Sequence, residues 1–153
     1  MYRLVAGLAL ALAAVPSLHA QQETAMTARG TFDITVTPVP PTDGSDSTIG
    51  RMNLDKRFHG DLDATSRGLM LAAGNPDGGS AGYVAMEEVT GTLSGRSGSF
   101  VLQHIGSMDA GAMELTVAVV PGSGTGELAG ISGRMTIVIE GGKHSYELAY
   151  TLP

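Results

Sequence analysis

Apolar and polar residues alternate along most of the chain from residue 31 onward. Between residues 31 and 37, Phe32, Ile34 and Val36 alternate with threonine and aspartate side chains. Alternation with a period of two, in a segment rich in β-branched residues, is typical of a strand with one buried face. No segment has a 3.6-residue apolar stripe long enough for a helix. The pattern therefore predicts an all-β chain.

Clusters of Gly, Pro, Asn, Asp and Ser divide the chain into eight such segments. Gly141 and Gly142 predict a two-residue hairpin turn between the last two strands, and residues 126–133 are predicted to be extended or bulged. Glycine is abundant, with 22 of 153 residues, and glycines inside strands often mark bulges or barrel corners. We therefore predict an eight-stranded antiparallel barrel. The predicted strands are 31–37, 48–61, 64–73, 82–93, 97–106, 113–120, 134–140 and 144–152.

The first 20 residues have the layout of a secretory signal peptide. Arg3 opens a basic region, an almost unbroken apolar run follows, and Ala20 supplies a small residue before Gln21. The run is shorter than the ~20 residues that a membrane-spanning helix needs. We therefore expect cleavage after Ala20 and export to the periplasm or out of the cell. The predicted organisation is a signal peptide at 1–20, a flexible N-terminus at 21–27 and a single barrel domain at 28–153.

The net charge and the absence of cysteine argue against several classes of binding partner. The formal net charge is −6, and without Arg3 eight basic residues face 15 acidic ones, which gives −7. Such a chain lacks the basic stripe that nucleic-acid binding requires and does not suit an anionic membrane surface. The chain also has no cysteine for a disulfide or a lipid anchor. We expect no nucleic-acid partner, no membrane span after the signal, and no cofactor; a homo-oligomer remains open.

Five phrases of the sequence are distinctive as a set. They are Lys-Arg-Phe-His-Gly-Asp-Leu at 56–62, Gly-Tyr-Val-Ala-Met-Glu at 82–87, Gly-Ser-Phe-Val-Leu-Gln-His at 98–104, Pro-Gly-Ser-Gly-Thr-Gly-Glu-Leu at 121–128 and Lys-His-Ser-Tyr at 143–146. Together they resemble the bacterial family called domain of unknown function 3224, and the resemblance covers about residues 28–153. It implies a calycin-like eight-stranded barrel of the allene oxide cyclase type, and it supplies no activity.

Two glycine-rich motifs match regular expressions of known sites without the structural context that those sites need. Residues 78–82 fit G-x-S-x-G around Ser80, but a strand follows in place of the helix of a nucleophile elbow. Residues 124–129 imitate a dinucleotide fingerprint, but again no helix follows to hold a pyrophosphate. We interpret both as turns.

Two further patterns point to packing or solvent rather than to metal chemistry. His59, Asp61 and Asp63 alternate along one strand and share a face if the strand stays extended, which is a pattern that ligates divalent ions. Gly60 and the acidic run favour a solvated hairpin end, so we predict no metal site there. The eight methionines are scattered among the strands and are interpreted as core filling.

The candidate site begins with two adjacent acids. Alternation places Tyr83, Ala85 and Glu87 on one face of the fourth strand and Glu88 on the other, so one carboxylate points inward unless a bulge intervenes. A buried carboxylate needs a partner, and polar residues on the fifth and eighth strands are available for a small-molecule site with acid–base capacity. The candidate ligand-binding residues are Tyr83, Glu87, Gln103, His104, His144 and Tyr146.

Three functions are consistent with these residues. The barrel binds a small, largely apolar ligand and is hollow; it is an isomerase or cyclase, with a carboxylate or histidine of shifted pKa at the floor of a cavity; or it is a structural or interaction module with a filled interior and an exposed apolar patch. The residues leave these alternatives open and identify no catalytic group.

Overall fold

The computed structural model describes residues 24–41 and 48–153. These residues form a closed barrel in which each strand is hydrogen-bonded to the next and β8 returns to β1. All the pairings are antiparallel, which confirms the predicted eight-stranded antiparallel barrel. The strands are β1 (Met26–Pro38), β2 (Ile49–Gly60), β3 (Leu62–Asn75), β4 (Ser80–Leu93), β5 (Arg96–Asp109), β6 (Ala112–Val119), β7 (Ser132–Glu140) and β8 (Lys143–Thr151).

The predicted signal peptide at 1–20 and residues 42–47, which lie between the first two predicted strands, are outside the described residues. Strand β1 begins at Met26, earlier than the alternation indicates, because β8 supplies a ladder of partners from Met26 opposite Tyr150 to Phe32 opposite His144. The hairpin at Gly141 and Gly142 is present, with φ of +56° and +77°. Positive φ at both central residues is what a type I′ turn requires.

The interior of the barrel is filled at one end. Aromatic and aliphatic side chains that are at most 1% exposed, among them Phe58, Phe100 and Leu148, pack together there. The segment after β6 closes this end with Leu128 and Ile131. That segment contains a short 3₁₀ helix, Gly126–Leu128, where the sequence predicts extended or bulged chain.

The closing segment also completes the sheet beside the lower part of β5. Pairing between β5 and β6 ends where Leu102 lies opposite Val119. Beyond that point the Ser99 amide donates to Thr125 Oγ1 at 3.0 Å, and the Val101 amide donates to Ser123 Oγ at 3.0 Å. The Val120 and Thr125 amides in turn donate to the carbonyl oxygens of Val101 and Ser99, so the backbone groups of Ser99 and Val101 at this edge are paired. The filled end is here called the closed end.

The opposite end, here called the open end, contains fewer bulky interior residues. Along β1 the inward-facing side chains become more exposed toward the open end, from buried Phe32 through Ile34 to Val36, which is 45% exposed. Among the described residues there is no helix that is long and apolar enough to cross a membrane. The barrel thus has a packed half that fixes the strands and a half-open end where the inward-facing side chains are partly exposed.

Candidate functional site

The centre of the barrel contains a fully buried carboxylate. On β4, Ala85, Glu87 and Val89 face the interior, and Glu88 faces solvent. Glu87 is 0% exposed. Strand alternation forces the two adjacent acids to opposite faces, and the neighbours of Glu87 shield its side chain from solvent.

Three side chains from other strands contact the Glu87 carboxylate. The Nζ atom of Lys56, on β2, lies 2.6 Å from Oε2. The Ser66 hydroxyl, on β3, donates to Oε1. The Nε2 atom of His104, on β5, lies 2.9 Å from Oε2. These four residues are here called the buried cluster. Lys56 is only 6% exposed and His104 only 3% exposed, so the cluster is desolvated throughout.

The contact between His104 and Glu87 is close but poorly aligned. Although Nε2 is 2.9 Å from Oε2, it has no partner with hydrogen-bond geometry among the described residues. The negative charge of the Glu87 carboxylate still interacts electrostatically with the His104 ring at 2.9 Å, because this interaction does not depend on the hydrogen-bond angle. Nε2 is therefore a buried polar atom whose hydrogen-bonding capacity is not used by the protein chain.

The buried cluster holds Glu87 in its ionised form. Burial alone would raise the pKa of Glu87, but the contacts with His104, Lys56 and Ser66 outweigh it and lower the pKa to about 2. With Lys56 as its counter-ion, the pair carries no net charge. A carboxylate that binds a proton only near pH 2 is a poor proton shuttle at neutral pH, so Glu87 is not suited to acid–base chemistry.

Acid is expected to remove the contribution of Glu87 to stability. Because the pKa of Glu87 falls from 4.5 to about 2 on folding, this contribution is complete above pH 4.5 and is lost as the pH falls through 2. The shift corresponds to about 3 kcal/mol. Urea unfolding at pH 6 and pH 2 should therefore show the stability difference between wild type and Glu87→Gln shrinking by that amount. The exposed control Glu147→Gln should change by less than about 1 kcal/mol; a pH-independent difference for Glu87→Gln would contradict the account.

A cavity of about 140 Å³ lies above the buried cluster, toward the open end. Lys56 and His104 form its polar floor. Aromatic rings stand around that floor: the Lys56 ammonium is 4.9 Å from the centroid of Phe32, whose ring is 4.9 Å from the ring of His144. This inner cavity is otherwise lined by aliphatic side chains, namely Ile34, Val36, Leu54, Met70, Leu115, Ile137 and Ile139, with Tyr83 at its edge.

A second cavity, of about 490 Å³, opens at the mouth of the barrel. It shares Met70, Tyr83 and Leu115 with the inner cavity, so the two are adjacent. Its lining is largely apolar. This mouth chamber connects the inner cavity with the open end, and together the two provide a continuous apolar volume above a polar floor.

The wall of the barrel is also split beside the inner cavity. In the described residues β6 and β7 pair only where Val117 lies opposite Met135 and Ala118 opposite Arg134. Farther toward the open end, Leu115 on β6 and Ile139 on β7 both line the inner cavity and are 40% and 58% exposed. The cavity therefore borders a gap between two strands as well as the mouth.

Tyr83 is held at the boundary of the two cavities by a glycine on the neighbouring strand. Gly106 lies opposite Tyr83, and a Cβ atom at Gly106 would stand 2.2 Å from the Tyr83 ring. The Tyr83 ring thus covers Gly106, and an aromatic ring packed over a glycine on the neighbouring strand helps to fix the strand register. Burial, and then the charge of Glu87, raise the pKa of Tyr83. Its hydroxyl therefore stays protonated at neutral pH.

Gly106→Ala is expected to displace the Tyr83 ring and to destabilise the barrel by about 1–3 kcal/mol, as overpacking does. In a Tyr83→Ala background the ring is gone, and the same Gly106→Ala change should lie within about 0.5 kcal/mol of neutral. Urea unfolding of the four proteins measures this coupling. Equal effects of Gly106→Ala in both backgrounds would show that the Tyr83 ring does not pack on Gly106.

The structure places the six predicted residues at different heights. Tyr83, His104 and His144 line the inner cavity, and Glu87 lies beneath its floor. Gln103 faces solvent on the outside of β5. Tyr146 belongs to the packed half, where its hydroxyl accepts from the Leu62 amide at 2.9 Å and is 3.3 Å from the His59 carbonyl oxygen.

Two members of the buried cluster, Lys56 and Ser66, are absent from the sequence-based candidates. The sequence does indicate that Lys56 is buried, because it lies two residues from Leu54 and from Phe58 on β2 and so shares their buried face. Ser66 has a weaker signal in Leu62 and Ala64, which precede it on the same face of β3.

The acidic hairpin end does not assemble a common site. His59 Nε2 lies 3.2 Å from Asp33, Asp61 accepts from the Arg29 amide at 2.8 Å, and Asp63 pairs with Arg57. Within the described part of the chain, no three His, Asp or Glu side chains are grouped to hold a metal ion.

Fold and site together define a small barrel that is packed at one end and hollow above a buried ion pair at the other. Residues 28–150 match the family described as "Protein of unknown function (DUF3224)", and the chain belongs to that family. It is 47% identical to a protein of unknown function from the same family, from Shewanella oneidensis MR-1, whose crystal structure has been solved. That match has a TM-score of 0.76 and covers 85% of this chain and 100% of the relative. No curated protein matches the chain.

Proposed function

We propose that the barrel binds a small, largely apolar, uncharged molecule in the inner cavity. The observation that carries this proposal is the apolar cavity with a polar floor made by Lys56 and His104. Ligand sites in proteins commonly combine apolar walls with a few convergent polar groups. An apolar cavity of about 150 Å³ accommodates benzene, so the inner cavity suits one ring-sized group, and the remainder of a longer ligand would extend into the mouth chamber.

The charge of the ligand follows from the buried cluster. Glu87 already neutralises Lys56 at 2.6 Å, so a ligand carboxylate would enter a desolvated site without a charge to offset it. A hydroxyl or carbonyl group, in contrast, finds the Tyr83 hydroxyl and the His104 ring at the boundary of the cavity. A neutral ring-sized molecule with one polar group is therefore the preferred ligand class.

Benzene, phenol and benzoate test this preference because they share a ring and differ in polarity and charge. Binding is measured by isothermal titration or ligand-observed NMR at pH 7. We expect phenol to bind more tightly than benzene, and benzoate to bind at least tenfold more weakly than phenol. Tightest binding by benzoate would contradict a neutral ligand, and failure of all three at millimolar concentration would contradict binding in the inner cavity.

The isomerase or cyclase alternative needs the same cavity and a proton-transfer group. The lowered pKa of Glu87 does not favour that carboxylate as the group, which leaves His104, His144 and Tyr83 in the lining. Most of the lining is aliphatic, so the geometry supports binding better than it supports catalysis.

Self-association is a second candidate function, and one observation favours it. Five exposed apolar residues lie side by side on the outer face of β3, β4 and β5, in the register of the sheet. The patch contains no charge, and a two-fold interface places the same surface on itself, so no repulsion opposes pairing with a second copy. Sedimentation velocity tests this: a dimer that dissociates in Val84→Glu supports it, and a monomeric wild type removes it. The residues are Leu69, Leu71, Val84, Met86 and Ile105.

Export is part of the proposal for where the protein acts. The basic start, apolar run and Ala20 that predict a signal peptide precede residue 28, where the family match begins. Expression of the full chain in a bacterium with a periplasm, followed by intact mass measurement of the periplasmic fraction, tests this. The predicted product begins at Gln21. A cytoplasmic product that retains residues 1–20 would contradict export.

A further inference from the structure

Four of the chain's eight methionines line the mouth chamber. They are Met52, Met70, Met108 and Met113. The sequence interpretation treats the methionines as scattered core residues, and Met135, which is 4% exposed, fits it. Met113 does not, because it is 70% exposed. A thioether presented to water at the mouth of a barrel does no core packing, so core filling does not explain Met113.

The four methionines form two cross-strand pairs. Met52 lies directly opposite Met70, across β2 and β3, and Met108 lies directly opposite Met113, across β5 and β6. Directly opposed residues on one face of an antiparallel pair have Cβ atoms about 4.5–5.5 Å apart. Each pair therefore brings two flexible thioethers close together on the inner face of the barrel, and both pairs border the same chamber.

The donors in this chamber are soft. Among the residues that the structure describes, its lining contains no histidine and one carboxylate, that of Glu114, and the chain contains no cysteine. Thioether ligands select Cu(I) over the harder divalent ions, which prefer imidazole or oxygen donors. The negative charge of Glu114 near the lining also favours a monovalent cation over an anion.

We propose that the mouth chamber binds one Cu(I) ion through three or four of the thioethers of Met52, Met70, Met108 and Met113. The site is separate from the polar floor of the inner cavity, and the inference does not depend on the ligand proposed for that cavity. An ion at this position would lie on the path between the open end and the inner cavity.

Cu(I) binding by the full chain is measured by competition with the indicator bathocuproine disulfonate. The titration is anaerobic and contains ascorbate. We compare wild type with two double variants, Met52→Leu with Met70→Leu and Met108→Leu with Met113→Leu. Leucine preserves the apolar volume at each site. One ion per chain is expected for wild type, with affinity at least tenfold weaker in each double variant and no binding when all four residues are changed.

The matched control removes two methionines elsewhere. Met86 faces outward and Met135 is in the core, so Met86→Leu with Met135→Leu should leave Cu(I) affinity within twofold of wild type. Absence of binding by wild type, or equal losses in the control and the chamber variants, would overturn the proposal. All variants are first checked for a wild-type circular dichroism spectrum. Met70 also lines the inner cavity, whereas Met108 and Met113 line the mouth chamber alone. Phenol binding should therefore persist in Met108→Leu with Met113→Leu, so the two proposals fail independently.

Methionine methyl NMR locates the ion directly. Ag(I) has the ligand preference of Cu(I) without its oxidation chemistry, and ¹³C-methyl labelling reports each methionine separately. The ε-methyl signals of the chamber methionines should shift on addition of one equivalent, while those of Met86 and Met135 should not. Shifts confined to Met86 or Met135, or no shifts at all, would overturn the assignment.

Discussion

Replacing Lys56 with methionine is expected to destabilise the barrel by about 3–5 kcal/mol. The Lys56 ammonium is 2.6 Å from the Glu87 carboxylate, and both side chains are at most 4% exposed. Removing one partner of a buried pair leaves the other charge desolvated and uncompensated, which is strongly destabilising. Methionine retains most of the apolar stem of lysine, so the loss reports mainly on charge. Urea unfolding at pH 7 measures it.

The double variant Lys56→Met with Glu87→Leu distinguishes the cost of one uncompensated charge from the cost of losing both charges. Replacing both members of a buried pair by apolar residues is often close to neutral, although here the Ser66 hydroxyl would lose its acceptor, which costs about 1–3 kcal/mol. We therefore expect the double variant to recover at least about 1 kcal/mol relative to Lys56→Met. Simple addition of the two single losses would contradict a coupled pair.

An exposed ion pair provides the control. Arg29 Nε lies 2.8 Å from Glu147 Oε2, close to the separation in the buried pair, but the two side chains are 65% and 50% exposed. Such pairs contribute about 0–1 kcal/mol. Arg29→Met should therefore cost less than about 1 kcal/mol in the same measurement. A loss as large as that of Lys56→Met would show that burial does not set the difference between the two pairs.

Ile137→Trp is expected to weaken binding of phenol by at least about 100-fold, or about 3 kcal/mol. Ile137 lines the inner cavity, and an indole at this position would occupy the volume of a ring-sized ligand. The chain has no tryptophan, so the emission of the new indole also reports whether it is buried. Binding is measured by titration with wild type and variant side by side.

The neighbouring residue supplies the matched control for that blockade. Val138 follows Ile137 on β7 and faces the opposite side, where it is 46% exposed. Val138→Trp should emit as a solvent-exposed indole and bind phenol within threefold of wild type. Equal loss of binding in both variants would mean that a tryptophan on β7 perturbs the strand, and unchanged binding in Ile137→Trp would place the ligand outside the inner cavity.

Strand alternation, the turn clusters and the glycines inside strands together predicted the barrel. Alternation indicates strands because successive side chains of a strand point to opposite faces of the sheet. It also predicted that one of Glu87 and Glu88 faces inward. It did not predict the height of a side chain along the barrel. Tyr146 shares an inward face with His144, yet Tyr146 lies in the packed half and His144 beside the cavity. Only the register between strands fixes that height.

Register also explains what the sequence could not reveal about groups of residues. Lys56, Ser66, Glu87 and His104 come from four strands, and Met52 and Met70 are 18 positions apart in the chain; they meet because the β2–β3 ladder places them opposite each other. Leu54 and Phe58 lie on either side of Lys56 on the same face of β2, and they do indicate that Lys56 is buried. Its partner is identified only by the pairing of strands, which a single sequence does not contain.

Site-resolved NMR of the mature protein with phenol is the most direct test of the central proposal, that the open half of the barrel binds a small neutral molecule. Amide shifts recorded during a titration should saturate and should be largest around the inner cavity, at residues such as Ile34, His104 and Ile137. The outer face around Val84 and Ile105 should not respond. Saturable shifts on the outer face with none around the cavity, or no saturable shifts at millimolar phenol, would contradict the account.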